Sequence, residues 1–256
     1  MRTLAAVLSG VALVAAGCGD GDTNAQDVLK QTASTIGVIQ SGTLGLKLLV
    51  TPQSEGQPFG FELHGPFTFR RGSLPVTQMT YTQIANGATA TATLVSDGTD
   101  AHVEAGGKQL ALSPAQTDSL RRATAQLRGS GSGARLAIGT WVKNPKASDG
   151  GLVSGAKTDK VSGTIDLAEA ATALVEVERL SGRHARQLTA DERKRLQEAV
   201  RSSSFVLYSG KDDHLLRKLV MSVDIGFDVP ADLKTALGAL VGAKVDFELT
   251  VANPKT

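Results

Sequence analysis

Hydrophobic positions along this chain change period several times, and the changes mark its elements. An apolar run over residues 4–17 comes first. From Thr23 onward, Ala25, Val28, Leu29, Thr32, Ala33 and Ile36 recur at the spacing of an amphipathic helix, with Asp27 in its first turn and Gly42 just beyond its end. The period then falls to two. Leu46 and Leu48 alternate with Gly45 and Lys47, Phe59, Phe61 and Leu63 alternate with Gly60, Glu62 and His64, and Phe67 and Phe69 follow Pro66. Alternating stretches over residues 76–84, 88–95 and 101–105 are set apart by Asn86-Gly87, Asp97-Gly98 and Gly106-Gly107. These are the dipeptides of tight hairpins, so an antiparallel meander is predicted.

The second half repeats this logic. Ser113, Pro114 and Gln116 spell a capping box with proline at the first helical position, opening a helix through Leu120, Thr124 and Leu127 that stops at Gly129. Residues 138–142, which hold the only tryptophan, read as a short strand and residues 144–151 as a loop. After a strand over 161–165, Asp166 with Glu169 caps a helix through Leu174 and Val177, and Thr189 with Glu192 caps another through Leu196 and Val200. A strand over 204–208 turns at Gly210-Lys211-Asp212-Asp213 into a longer one, where Leu219, Met221, Val223, Ile225 and Phe227 oppose Ser222, Asp224, Gly226 and Asp228. Pro230 begins a short helix, and a last strand sets Val245, Phe247, Leu249 and Val251 against Asp246, Glu248 and Thr250.

The predicted fold is therefore α+β, with about ten strands in a single strongly curved antiparallel sheet, a half-barrel whose concave face is covered by helices. Glycines inside strands, at Gly45, Gly60 and Gly226, mark where such a sheet would bend. A sheet curved this deeply leaves room beneath its helical cover for an apolar cavity, and a filled core is the alternative.

Composition narrows the chemistry. The 256 residues carry 27 Lys and Arg against 25 Asp and Glu, a formal charge of +2, so no nucleic-acid partner is implied. One cysteine and four scattered histidines, His64, His102, His184 and His214, offer no Cys/His metal site, and no cofactor is predicted. Asp212, Asp213 and Asp224 lack the ligand spacing of a calcium loop and read as a hairpin tip and a strand residue. The Gly/Ser run at 129–133 has no Ser with Gly on either side at two residues' distance, and reads as a connector. Arg179, Arg183, Arg186, Arg193, Lys194 and Arg195 are interleaved with Glu176, Glu178, Asp191 and Glu192, the pattern of a solvated helical face. With no clustered acid, base and nucleophile, no enzyme is predicted.

Arg2, the apolar run and Ala15-Ala16-Gly17 have the form of an export signal. The run is shorter than the roughly 20 residues a membrane span needs. The chain's only cysteine, Cys18, follows directly. That arrangement resembles a bacterial lipobox, which implies that the Cys18 thiol receives a diacylglyceryl group and tethers the protein to the extracytoplasmic face of the cell membrane. The expected organisation is a signal peptide over 1–17, an anchor and short linker over 18–23, and one domain over 24–256.

The order of lipobox, linker, amphipathic helix, meander, helix, Gly139-Thr140-Trp141-Val142, two further helices, Gly-Lys-Asp-Asp hairpin and two closing strands resembles the LppX/LprG-type lipoproteins of actinobacteria. Those are related in fold to the LolA/LolB lipoprotein carriers. The resemblance implies a half-barrel enclosing an apolar pocket, a lipid or glycolipid ligand carried through the envelope, and an inner-membrane lipid transporter as partner. It carries over no catalytic residue, and only Cys18 as a defined chemical site. The strand faces that would line the pocket are those of Leu46, Leu48, Phe59, Phe61, Leu63, Met221, Val223, Ile225, Phe227, Val245, Phe247 and Leu249. A filled core would instead make the protein a tethered assembly or interaction module.

Overall fold

The computed structural model describes residues 24–53, 56–128, 138–172, 189–226 and 240–256. Helix α1 (Ala25–Thr35) starts where the Asn24 side chain accepts a hydrogen bond from the Gln26 amide at 2.9 Å, and a short 3-10 turn (Ile36–Val38) follows it. It buries the face predicted for it, Ala25, Val28, Leu29, Thr32 and Ala33. The one hydroxyl on that face is satisfied: Thr32 Oγ1 lies 2.7 Å from Ser209 Oγ.

Eleven strands follow: β1 (Ser41–Pro52), β2 (Phe59–Thr68), β3 (Val76–Ala85), β4 (Ala88–Asp97), β5 (Ala101–Ala105), β6 (Lys108–Ala111), β7 (Val142–Val153), β8 (Ala156–Ile165), β9 (Val200–Gly210), β10 (Leu216–Ile225) and β11 (Ala243–Lys255). They form one antiparallel sheet in the order β6-β5-β4-β3-β2-β1-β11-β10-β9-β8-β7. Two consecutive meanders are thus sewn together where the last strand returns to pair with the first. The sheet stays open, with β6 and β7 as its edges. The expected α+β architecture, one curved antiparallel sheet with helices on its apolar side, is the one observed. Tight turns set the register, and at β3–β4 both Asn86 (φ 53°) and Gly87 (φ 73°) take the left-handed conformation that a two-residue hairpin requires.

At Gly60 the curvature becomes a close approach of backbones. An added Cβ there would fall on the Leu48 carbonyl of β1 and 3.0 Å from Leu49 Cα, so β2 can bend over its neighbour only without a side chain. Gly226 instead lies just past β10, where its amide donates to Ala199 O at 2.8 Å.

Helix α2 (Pro114–Arg128) begins at the expected box, with Gln116 Oε1 accepting from the Ser113 amide at 2.9 Å. Two expectations need correction. Residues 138–142 are not a strand: Ile138–Trp141 forms one helical turn, α3, and the strand begins at Val142. Residues 144–151 are not a loop but most of β7. Register shifts between Lys143 and Lys146 and between Asp149 and Gly151 break the alternation that a period-two reading depends on. An edge strand also tolerates the Pro145 and the polar residues that look like loop chemistry. Strands β8 and β9 likewise start earlier than expected. Helix α4 (Ala190–Ala199) carries the Thr189/Glu192 capping box but ends one residue before Val200, which already belongs to β9. Leu174, Val177 and the helix expected after Pro230 lie outside the described residues.

The main core packs α1 and α3 onto β7–β10, through Leu29, Ile138, Val161, Phe205, Leu207 and Leu219 among others. A smaller cluster of Ile39, Phe67, Leu215 and Val251 lies at the other end of β1 and β11.

Asp166 joins β8 to the helical residues 167–172. Its carboxylate accepts from the amides of Ala168 (3.1 Å) and Glu169 (3.2 Å), from Gln197 Nε2 (3.1 Å) and from Lys143 Nζ (2.8 Å). Burial pushes this carboxyl up, but the Lys143, Gln197 and Glu169 hydrogen bonds outweigh it and hold it below its ordinary value. A carboxyl depressed in the folded state stabilises at pH values above its unfolded pKa, about 3.9, and that contribution fades as pH falls through the lower folded value. In urea unfolding, the stability difference between wild type and Asp166→Asn is therefore expected to be level above about pH 5 and to shrink below about pH 4. A difference that grew with acidification would contradict this.

Candidate functional site

Cross-strand register aligns the apolar positions of the two meanders into continuous rows. Tyr81, Leu63, Leu46, Leu249, Leu219, Leu207 and Val161 stand opposite one another on β3, β2, β1, β11, β10, β9 and β8 in turn. Beside this row runs a second, Phe61, Leu48, Phe247, Met221 and Phe205, and then a third, Phe59, Val50, Val245 and Val223. At a strand spacing of about 4.8 Å the first row follows roughly 30 Å of arc. Leu46, Leu48, Phe59, Phe61, Leu63, Met221, Val223, Val245, Phe247 and Leu249 thus share one face, and Ile225, two residues beyond Val223, continues it. Phe227 and Cys18 lie outside the described residues.

Burial along this face is graded. Under α1, on β8 to β10, it is closed: Leu207 is 0% exposed and Phe205 1%, and Val223 and Ile225 are also buried in the main core. Met221, Val245, Phe247 and Leu249 are half-buried and pack against that core. Across β1 and β2, Leu46, Leu48, Phe59, Phe61 and Leu63 are also half-buried but belong to neither core cluster. On β3 the face reaches Tyr81, 39% exposed, whose ring stacks on Phe61 with centroids 5.8 Å apart, and from Met79 it continues through Leu94, Val103 and Leu110 on β4 to β6. Among the described residues, the face therefore runs from a packed core into a half-covered apolar strip.

The reverse face is built for water. Lys47 pairs with Glu62 at 2.7 Å and Lys218 with Glu248 at 3.0 Å, while Thr80 and Thr82 of β3 reach Thr93 and Thr91 of β4 at 3.3 Å. A dent of about 240 Å³ around Gly45 is lined by Lys47, Glu62, His64, Glu248 and Thr250 together with Leu46 and Leu63. Its lining mixes charged, polar and apolar groups.

Residues considered for metal binding have other partners. Asp213 accepts from the Arg217 guanidinium at 2.6 Å and from the Leu215 amide at 3.0 Å, which closes the hairpin, and Asp224 accepts from Gln53 Nε2. Among the described residues no three His, Cys, Asp or Glu side chains gather into a metal cluster. His184 and the arginines at 179, 183 and 186 lie outside them.

Several members of the apolar face go unnamed in the sequence pattern, Tyr81, Phe205 and Leu207 among them. Tyr81 sits in a stretch with apolar residues in both phases, Met79 and Tyr81 in one and Val76 and Ile84 in the other, so only pairing with Leu63 reveals which phase faces inward. Trp141 was assigned to a strand; it is instead buried at the end of α3, in contact with the main core.

Fold and face together define an open antiparallel half-barrel with helices on its apolar side. No family model matches the chain, and no curated protein does. Among solved structures it is similar to LprF from Mycobacterium bovis, with 15% identity over 91% of this chain and 95% of that one and a TM-score of 0.45. It is also similar to a LolA superfamily protein from Nitrosomonas europaea (13%, 91% and 93%, TM-score 0.23). A putative outer membrane lipoprotein-sorting protein domain from Vibrio parahaemolyticus is a third (8%, 91% and 93%, TM-score 0.22). LprF and a LolA superfamily protein are thus among the structures found, in keeping with the resemblance read from the sequence. At this level of similarity a shared activity does not follow, and the chain's own residues have to carry the function. No described helix is long and apolar enough to cross a membrane.

Proposed function

We propose that the protein is a membrane-tethered carrier that binds acylated lipid or glycolipid and passes it on within the cell envelope. The half-buried strip of Leu46, Leu48, Phe59, Phe61 and Leu63, continuous with a packed core on one side and with Tyr81 on the other, carries this reading. An acyl chain laid along it would bury methylene groups at about 0.8 kcal/mol each. A dozen of them supply roughly 10 kcal/mol before the cost of immobilising ligand and side chains is subtracted. Binding driven this way depends on chain length more than on head group.

The tether would be the acylated Cys18, which holds the domain within a short linker's reach of the membrane surface where lipid is collected. An inner-membrane lipid transporter is the partner this role calls for.

Native mass spectrometry of the domain purified without its anchor tests the reading. Acyl lipids are expected to co-purify with the wild type, and to fall at least about tenfold in Leu63→Lys, which places a charge on the strip. Because Leu63 is only half-buried, the variant should remain folded by circular dichroism. Wild-type protein that never carries lipid would overturn the carrier and leave a tethered interaction module with a filled core.

A further inference from the structure

Among the described residues, four large apolar side chains are exposed, Val38, Tyr81, Leu110 and Leu152. All four belong to the concave side of the sheet or to the helical cover on it. Tyr81 and Leu110 stand on the apolar face, and Val38 lies in the turn after α1, beside Ile39 of the smaller core cluster. Leu152 pairs with Lys157, which shares the phase of the inward-facing Val161 on β8. The convex face, with its ion pairs and threonines, contributes none of the four. Apolar residues scattered singly over a surface need no explanation, but a one-sided set does.

The two most exposed of them, Leu110 at 60% and Leu152 at 73%, lie on the two free edges of the sheet, β6 and β7. Each has a lysine turned to the same side. Lys108 is two residues from Leu110 on β6, and Lys157 stands opposite Leu152 across the β7–β8 ladder. Among the described residues neither lysine has an acidic partner. Asp149 and Asp159 pair with Lys211 at 3.1 and 3.8 Å, and Glu104 turns to the other face, where it meets His102 and Gln109.

We propose that these two edges form a rim that seats on an anionic lipid bilayer, with the concave side of the sheet turned toward the membrane. This rests on the carrier reading and deepens it, because it names the surface across which lipid is exchanged. A leucine beside a lysine suits the boundary of a bilayer: the apolar chain enters the acyl layer while the ammonium stays among the headgroups. Two lysines with no carboxylate to neutralise them supply the charge that an anionic leaflet attracts. From Leu110 the apolar face leads inward through Val103, Leu94 and Met79, so lipid leaving a seated rim need not cross water. The edges themselves oppose a protein partner that adds a strand. Strand β6 offers only four residues, and β7 is interrupted by Pro145 and two register shifts. A bilayer asks for no backbone register.

The chain from Gly19 onward lacks the anchor and keeps every described residue. It can be floated with vesicles of phosphatidylglycerol and phosphatidylcholine in equal parts, and with vesicles of phosphatidylcholine alone. Wild type is expected to bind the mixed vesicles about tenfold more tightly than the neutral ones. Leu110→Ser and Leu152→Ser should each weaken binding to the mixed vesicles by about three- to tenfold, while Thr91→Ala on the convex face changes nothing. Combining Lys108→Ala with Lys157→Ala should bring the two compositions together. Because all four rim residues are exposed, circular dichroism should match wild type; should a leucine variant still fail to fold, the lysine variant decides. Wild type that ignores both vesicles, leucine variants that float like wild type, or a dimer held by the rim in place of vesicle binding would each overturn the assignment. If such a wild type still carries acyl lipid by native mass spectrometry, the carrier stands without the rim. Rim-dependent flotation of a protein that carries none would keep the rim and remove the carrier.

Discussion

Phe205→Ala is expected to lower stability by about 4 kcal/mol, within the range found when a buried phenylalanine is truncated. Phe205 is 1% exposed on β9, opposite Met221 of β10 and Gly163 of β8, within the main core. Truncation removes a ring from a site whose glycine neighbour has no side chain with which to fill the space. Met221, with its flexible thioether, can move in to recover part of the loss. Phe61 lies in the same cross-strand row, four strands away on β2, yet is half-buried outside that core, so Phe61→Ala should cost less than half as much. Urea unfolding followed by Trp141 fluorescence measures both, with m unchanged if the transition stays two-state. Equal losses at the two positions would mean that the face is packed uniformly and has no open strip.

The second large effect concerns backbone geometry. Gly60→Val should destabilise by about 3 kcal/mol or more, because its side chain would have to occupy the space of the Leu48 carbonyl and lie against Leu49 Cα on the adjacent strand. Backbone atoms held in the β1–β2 ladder cannot swing aside as a side-chain tip can, so the strands must part or flatten. Gly107 makes a useful contrast. It sits at φ 74° in the β5–β6 turn with nothing near its missing Cβ, and asparagine tolerates that backbone, so Gly107→Asn should cost less than about 1 kcal/mol. Thermal unfolding of the two variants decides. A Gly60→Val protein as stable as wild type would show that β2 does not crowd its neighbour.

Much of the architecture was legible because one-sided burial imposes a period. The buried face of α1, the hairpins at Asn86-Gly87 and Gly106-Gly107, and the caps at Ser113, Asp166 and Thr189 are local events, decided by residues within a turn of one another. Strand β7 was missed for the opposite reason. As an edge it needs pairing on one side only, so it can carry Pro145, Asn144 at φ 51° and two register shifts, and its sequence looks like a loop. Its neighbour β8 supplies the order that its own residues do not.

The candidate site divides in the same way. Alternation assigned Leu46, Leu48, Phe59, Phe61 and Leu63 to one side of their strands, and Met221, Val223, Val245, Phe247 and Leu249 to one side of theirs, because polar residues intervene at every second position. What alternation cannot express is that the two sets form a single surface, which depends on β11 returning to β1 across some two hundred residues of chain. Nor can it say which part of that surface is sealed. Val223 and Ile225 carry the same pattern as Leu46 and Leu48, yet the first pair is buried under the core that α1 completes and the second lies in the half-covered strip. The sequence by itself determined which side chains turn away from water, since that follows from local period. Tertiary structure alone decided which of them are sealed against other side chains and which stay half-covered, since that depends on where a helix happens to lie.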